Sequence, residues 1–195
     1  IFHNCHMTDN PIPLHRRSIR LKGYDYTSEG GYFITIVTHK RQPLFGGIVN
    51  DEMNLNDIGI IAREEWFRTT QIRPYVELFS DEFVVMPNHI HGIIWLTPDP
   101  CRGTARRAPT GDPPPNLEQF GKPVARSIPT VIRGYKSAVT KRINELRATP
   151  STPVWQRNYY EHIITTDREY ESIVEYIDAN PRAWLTDTEN PQTAR

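Results

Sequence analysis

The chain has 195 residues, which is enough for one domain with a hydrophobic core but too few for two complete domains. Its 23 lysine and arginine residues balance 23 aspartate and glutamate residues, so any binding of nucleic acid would depend on local basic patches. The two cysteines, Cys5 and Cys101, argue against a disulfide framework or a structural zinc site, and no apolar stretch reaches membrane-spanning length.

The first third of the chain predicts a strand, a hairpin and a helix. Residues 1–15 are expected to form a disordered or artefactual tail, and a basic cluster follows at Arg16, Arg17, Arg20 and Lys22. The β-branched and aromatic run at 32–38 predicts a central strand. Residues 47–55 predict a hairpin that turns at Asn50 and Asp51. A helix capped by Asn56 or Asp57 should then run to about Arg68.

The pair His89 and His91 is the most informative feature of the middle of the chain. Residues 75–86 and 89–96 read as strands, with Pro87 and Asn88 forming the turn between them. Alternate residues of a strand point to the same face, so the two imidazoles can hold one metal ion. We expect the pair at a surface cleft. The alternative is that both histidines are structural and bind nothing.

The second half of the chain predicts an insertion and two helices. A proline-rich insertion covers about 97–128, and a helix should follow at 129–147 with Val131, Ile132, Tyr135, Val139 and Ile143 on its apolar side. Thr166 and Glu169 fit a capping box, so a further helix should begin at Asp167 and end near Asn180, before Pro181. On that helix Tyr176 and Asn180 share a face. The alternative is an ordinary half-buried tyrosine and a capping asparagine.

Five segments together carry a resemblance to a known family. They are RRSIRLKGYDY at 16–26, VVMPNHIHG at 84–92, YKS at 135–137, WQRNYYEHII at 155–164 and EYIDANP at 175–181. Each is weak evidence alone, but their order and spacing are specific. The chain resembles the Y1 family of HUH transposases, and the branch of REP-associated tyrosine transposases is the closer resemblance.

The resemblance implies a fold and a set of site residues. The fold would be α+β, an antiparallel ferredoxin-like sheet with helices packed on it, in a single domain at 16–185 with a C-terminal tail at 186–195. His89 and His91 would hold a divalent metal, Mg²⁺ or Mn²⁺, and Tyr176 would attack DNA. The third ligand of the family is often glutamine, and here that position is Asn180. Tyr159 and Tyr160 are rival nucleophiles, which we interpret as packing or DNA-contacting residues.

The expected reaction is metal-dependent cleavage and joining of DNA. A phenol has an ordinary pKa near 10, so a cation or a base must favour the phenolate before it can attack phosphorus. The resemblance implies a 5′-phosphotyrosine intermediate and a single-stranded or hairpin (REP-like) substrate. The basic residues expected to contact DNA are Arg16, Arg17, Arg20, Lys22, Arg133, Lys136, Lys141, Arg142 and Arg157.

Two other functions fit the same residues. One is a domesticated hairpin-DNA-binding protein with little or no catalytic activity, and the other is a metal-dependent phosphodiesterase that uses water as the nucleophile. Trapping of a covalent protein–DNA adduct separates the transposase from both. In each case we expect a monomer or homodimer in the bacterial cytoplasm, associated with the nucleoid and not with a membrane.

Overall fold

The computed structural model describes residues 23–98, 124–187 and 189–191. Arg16, Arg17, Arg20 and Lys22 lie outside the described residues, as does most of the expected proline-rich insertion. The described part contains a five-stranded antiparallel sheet, a separate two-stranded hairpin and three long helices, which confirms the α+β class. None of the helices in this part of the chain combines the length and apolarity that crossing a membrane requires.

Strand β1 (Gly30–Val37) lies at the centre of the large sheet. It pairs with β6 (His89–Leu96) on one side and with β7 (Tyr160–Ile163) on the other. Two short strands, β4 (Val76–Glu77) and β5 (Phe83–Val85), both pair with β6. Because β4 and β5 together take the place of one strand, the order is that of the ferredoxin-like β-α-β-β-α-β arrangement.

A short 3₁₀ turn at Ser80–Glu82 separates β4 from β5, where the sequence predicted one continuous strand. The break turns the side chain of Glu82 inward, where it is 3% exposed. Its carboxylate accepts hydrogen bonds from Nε1 of Trp95 at 2.7 Å and from the hydroxyl of Tyr170 at 2.8 Å. A buried carboxylate needs hydrogen-bond partners. Through these two bonds, Glu82 links strand β6 to the helix that carries Tyr170.

The hairpin and the start of the first helix form as the sequence predicts, but the helix continues beyond its predicted end at about Arg68. Strands β2 (Gly46–Val49) and β3 (Glu52–Leu55) are joined by Asn50 and Asp51, whose φ values of 52° and 62° suit a type I′ turn. Helix α1 (Asp57–Ile72) follows directly. Its cap is Asn56, whose Oδ1 accepts from the amides of Ile58 and Gly59, both at 3.0 Å.

Helices α1 and α2 (Ile128–Arg147) cover one face of the sheet. All five apolar residues predicted for the inner side of α2 are buried. The hydroxyl of Tyr135 donates to the carbonyl of Ala62 at 3.1 Å, which fixes α2 against α1. The even-numbered residues of β1 and β6, including Ile34, Ile36, Ile90 and Ile94, fill the core beneath them.

Helix α3 (Asp167–Ala183) covers the opposite face, where Ile177 packs with Phe33 and Ile93. Its cap is Thr166, whose hydroxyl accepts from the amide of Glu169 at 3.2 Å. The predicted end at Asn180 is wrong, because α3 continues through Pro181 to Ala183 and into a 3₁₀ turn at Trp184–Thr186. A proline in the last turn removes only one helical hydrogen bond, and the burial of Asn180 holds this turn against the sheet.

Gly92 lets α1 approach the sheet closely. A Cβ at this position would lie 2.5 Å from Cζ2 of Trp66 and 2.9 Å from Cδ2 of Phe83, and these two rings stack with centroids 4.7 Å apart. Replacing Gly92 by alanine should therefore lower the free energy of unfolding by about 1–3 kcal/mol, because the rings must move apart. Urea unfolding measures this change.

Gly47→Ala is the matched control, because a Cβ at Gly47 meets nothing within 4 Å. Its urea midpoint should stay close to that of the wild type. Equal midpoints for Gly92→Ala and Gly47→Ala would contradict the close packing of Trp66 on β6.

Candidate functional site

His89 and His91 begin strand β6 and point to the face covered by α3. Their ring centroids lie 4.5 Å apart. The expectation of a surface cleft is wrong, because His89 is 0% and His91 3% exposed. The ring of Trp184 covers His89, with centroids 6.0 Å apart, and the ring of Tyr176 covers His91 at 5.1 Å.

The second nitrogen of each imidazole is held by a neighbour. Nδ1 of His89 lies 2.8 Å from Oδ1 of Asn88, and Nδ1 of His91 lies 2.8 Å from Oγ1 of Thr35. An amide oxygen can only accept, so Nδ1 of His89 carries the proton and the Nε2 lone pair faces the site. Such partners orient histidine ligands in metal sites. The polar Thr35 within an apolar strand was a sequence signal for this role.

Burial keeps both imidazoles neutral. It lowers the pKa of His89 to about 4, against a smaller opposing effect of Asp187, and it lowers the pKa of His91 well below the usual value. A neutral imidazole offers the lone pair that a metal ion needs.

A carboxylate that the sequence interpretation missed completes a group of three possible ligands. The ligand atoms of His89, His91 and Asp187 lie within 4.8 Å of one another, and Oδ2 of Asp187 is 3.8 Å from Nε2 of His89. Asp187 follows α3 in an irregular segment, and no motif indicated it. The prediction that α3 stops at Asn180 gave no reason to place Asp187 near the histidines. The helix instead continues to Ala183, and the chain that follows it brings Asp187 beside His89.

Asn180 lies beside this group. It is 2% exposed and interacts with both His89 and Tyr176. Oδ1 of Asn180 and Nε2 of His89 are buried without a hydrogen-bond partner. Two buried acceptors of this kind are what a bound cation would satisfy, and a set of imidazole, carboxylate and amide ligands suits a divalent metal ion. The residues present therefore fit such an ion.

Tyr176 reaches the histidine pair from α3. Its hydroxyl lies 3.2 Å from Nε2 of His91, and its side chain is 46% exposed. Burial of the hydroxyl raises the pKa of Tyr176, as does the charge of Asp187, whereas a hydrogen bond from Asn180 lowers it. The phenol is thus protonated unless a cation or base favours its ionised form.

The two rival tyrosines lie at and just before the start of β7, on a different element from Tyr176. Tyr159 packs against the main core, and Tyr160 is 49% exposed on β7. The ring of Tyr160 contacts Phe33, with centroids 6.3 Å apart.

Three of the predicted DNA-contacting residues line one groove. Lys136, Lys141 and Arg157 border a groove of about 510 Å³ between α2 and the segment before β7. Lys136 donates to the carbonyl oxygens of Gln156, Arg157 and Asn158, and burial lowers its pKa to about 8.

The other two described members of that set lie outside the groove. Arg133 is exposed on α2. Arg142 binds the carboxylates of Glu64 and Glu65 on α1 at 2.7 and 2.8 Å, so its charge ties the two helices together.

Comparison with curated proteins identifies a relative that covers most of the chain. No family model matches the chain. An uncharacterized protein of Haemophilus influenzae is 42% identical over 173 residues, which cover 89% of this chain and 92% of that protein.

Two solved structures are more distantly similar. A REP-associated tyrosine transposase bound to a REP hairpin is 21% identical, with a TM-score of 0.48 over 89% of this chain and 74% of that one. A Deinococcus radiodurans protein assigned as a transposase is 17% identical, with a TM-score of 0.42 over 82% of this chain and 96% of that one.

Proposed function

This chain, which carries Y1 transposase-like motifs, belongs to one family with the Haemophilus influenzae protein, and we propose that it is a metal-dependent single-stranded DNA endonuclease and strand transferase. Its substrate would be hairpin DNA of the REP type. The observation that carries the proposal is the position of the Tyr176 hydroxyl, 3.2 Å from Nε2 of His91 and beside a second histidine and a carboxylate.

Nε2 of His89, Nε2 of His91 and the carboxylate of Asp187 would hold the metal, with Oδ1 of Asn180 as a further ligand. The bound ion would polarise the scissile phosphate and neutralise charge in the transition state. Asn88 and Thr35 fix the orientation of the two imidazoles.

Tyr176 would supply the nucleophile. Attack of its oxygen forms a phosphorus–oxygen bond to the 5′ phosphate and breaks the bond to the 3′ oxygen, which leaves as a hydroxyl. The phenolic proton passes to solvent, since Nε2 of His91 would be occupied as a metal ligand, and the departing 3′ oxygen takes up a proton from water. The covalent intermediate keeps the energy of the broken bond, so a second 3′-hydroxyl can reverse the step on another strand without an external energy source.

Incubation with hairpin DNA tests the proposal directly. Hairpin DNA from the flanks of the gene, labelled on the 3′ side of the cleavage site, should become covalently attached to the protein in Mn²⁺ or Mg²⁺. A denaturing gel measures the adduct. A chelator present from the start should prevent the adduct from forming, because the phenol then lacks its cation.

The products distinguish the three functions. Cleavage without an adduct would indicate a phosphodiesterase that uses water. Binding of the hairpin with neither adduct nor cleavage in any metal would indicate a hairpin-DNA-binding protein without catalytic activity. A cytoplasmic, nucleoid-associated monomer or homodimer is part of the same proposal.

A further inference from the structure

A second cavity opens beside Tyr176, between α3 and the edge of the sheet. Its volume is about 300 Å³, and Tyr176 forms part of its wall. Phe33, Tyr160 and Ile173 line its apolar side, and His162, Glu169 and Ser172 line its polar side. None of these six side chains has a role in the metal group described above.

The apolar side of the cavity is shaped by aromatic rings. Phe33 stacks on His91, with centroids 5.5 Å apart and planes 20° from parallel. Tyr160 and Tyr176 meet Phe33 edge to face, with centroids 6.3 and 6.1 Å away. Both tyrosines remain about half exposed, so their surfaces are open to a planar ring from outside. Unstacked bases bind such surfaces on proteins that hold single-stranded DNA.

The polar side of the cavity presents hydrogen-bond acceptors. The carboxylate of Glu169 accepts from the amide of Thr165 at 2.8 Å, from the hydroxyl of Thr165 at 3.1 Å and from Nε2 of His162. The backbone hydrogen bond from Thr165, followed by that from His162, lowers the pKa of Glu169 to about 2. Ser172 donates its proton to the carbonyl of Arg168 at 3.0 Å, which leaves its oxygen as an acceptor.

We propose that this cavity binds one unstacked DNA base next to the scissile phosphate, and that it prefers bases with an exocyclic amino group over thymine. An ionised carboxylate can only accept hydrogen bonds, and the amino groups of cytosine, adenine and guanine are donors. Thymine has no amino group, and its one donor, the ring N3–H, lies between two carbonyl oxygens that an ionised carboxylate repels. Because Tyr176 lines the cavity and its hydroxyl also lies 3.2 Å from Nε2 of His91, the selected base lies beside the attacked phosphate. This inference rests on the proposed function.

Binding of short strands tests the preference without cleavage. The probes are a fluorescein-labelled strand of nine thymidines and the same strand with one central cytidine, measured by fluorescence anisotropy in a chelator. The strand can slide until the cytosine enters the cavity, so the cleavage register need not be known. The wild type should bind the cytidine strand about tenfold more tightly, which is the effect of one good hydrogen bond to a base edge.

Two variants connect the preference to the cavity. Ser172→Trp should fill it from the exposed side of α3 and bring the two affinities together. Glu169→Gln keeps an oxygen for the helix cap but offers an amide donor, so the preference should disappear or turn toward thymine. Glu171→Trp is the matched control, because Glu171 is exposed on the same helix outside the cavity. The measured quantity is a ratio, so the charge removed by the control affects both strands alike.

Equal affinities in the wild type, or a preference that survives Ser172→Trp, would overturn the base site. Tighter binding of a ribose strand of the same sequence would overturn DNA as the occupant. An adduct on the denaturing gel together with equal affinities for the two strands would contradict the base site and support the proposed strand transferase. The preference without any adduct would keep the base site and remove the transferase.

Discussion

Replacing Tyr176 by phenylalanine should abolish the covalent protein–DNA adduct while leaving the binding of hairpin DNA close to that of the wild type. The substitution removes one oxygen and keeps the ring that packs on His91 and Phe33. Loss of a nucleophile lowers the rate of a covalent reaction by about 10⁴-fold or more. A denaturing gel measures the adduct, and anisotropy of labelled hairpin measures the binding.

Tyr160→Phe and Tyr159→Phe are the controls for this result. The Tyr160 ring contacts Phe33, and Tyr159 packs on the main core, so both variants should still form the adduct. Adduct formation by Tyr176→Phe, with its loss in either control, would reassign the nucleophile and leave the reaction class intact.

Replacing His89 or His91 by alanine should weaken Mn²⁺ binding by more than about 100-fold and abolish cleavage. Each variant removes the Nε2 atom that faces the group of ligands. Asp187→Asn should weaken binding less, by about 10–100-fold, because an amide oxygen still offers a neutral ligand. Isothermal titration calorimetry measures the Mn²⁺ affinity of all three variants in the absence of DNA.

Both histidines are buried, so their alanine variants also leave cavities and should unfold at lower temperature. A thermal melt followed by circular dichroism identifies the temperature range in which these variants are folded, and the Mn²⁺ titrations should be done within that range. His39→Ala, outside the group of ligands, should bind Mn²⁺ as the wild type does. Undiminished Mn²⁺ binding by folded His91→Ala would exclude the histidine pair as the metal site.

Local patterns predicted the parts of the fold that depend on local chemistry. Asn50 and Asp51 predicted the turn of the hairpin, where both residues have positive φ, and the caps Asn56 and Thr166 predicted where two helices begin. Alternation in β6 predicted that His89 and His91 share a face, and helical spacing placed Tyr176 and Asn180 together. These patterns have periods of two or about four residues, so a single segment contains the whole signal.

The remaining features depend on contacts between distant segments. Burial of the histidines depends on Trp184 and Tyr176, which lie about ninety residues later in the chain. Asp187 reaches the site only because α3 continues past Pro181, and the penalty of a proline depends on its place in the helix. The break between β4 and β5 depends on the pairing of Glu82 with Trp95 and Tyr170.

Neighbouring residues of strand β6 face opposite sides of the sheet and contact different helices. Ile90, Gly92 and Ile94 face α1 and α2, whereas His89 and His91 face α3 and Tyr176. Under the proposed function, natural selection for a folded protein and selection for catalysis act on alternate positions of one short segment. A lineage that retained only DNA binding would be free to lose the two histidines by drift while keeping the intervening residues. In its descendants, strand β6 would keep the residues that pack in the core but would have lost the two histidines.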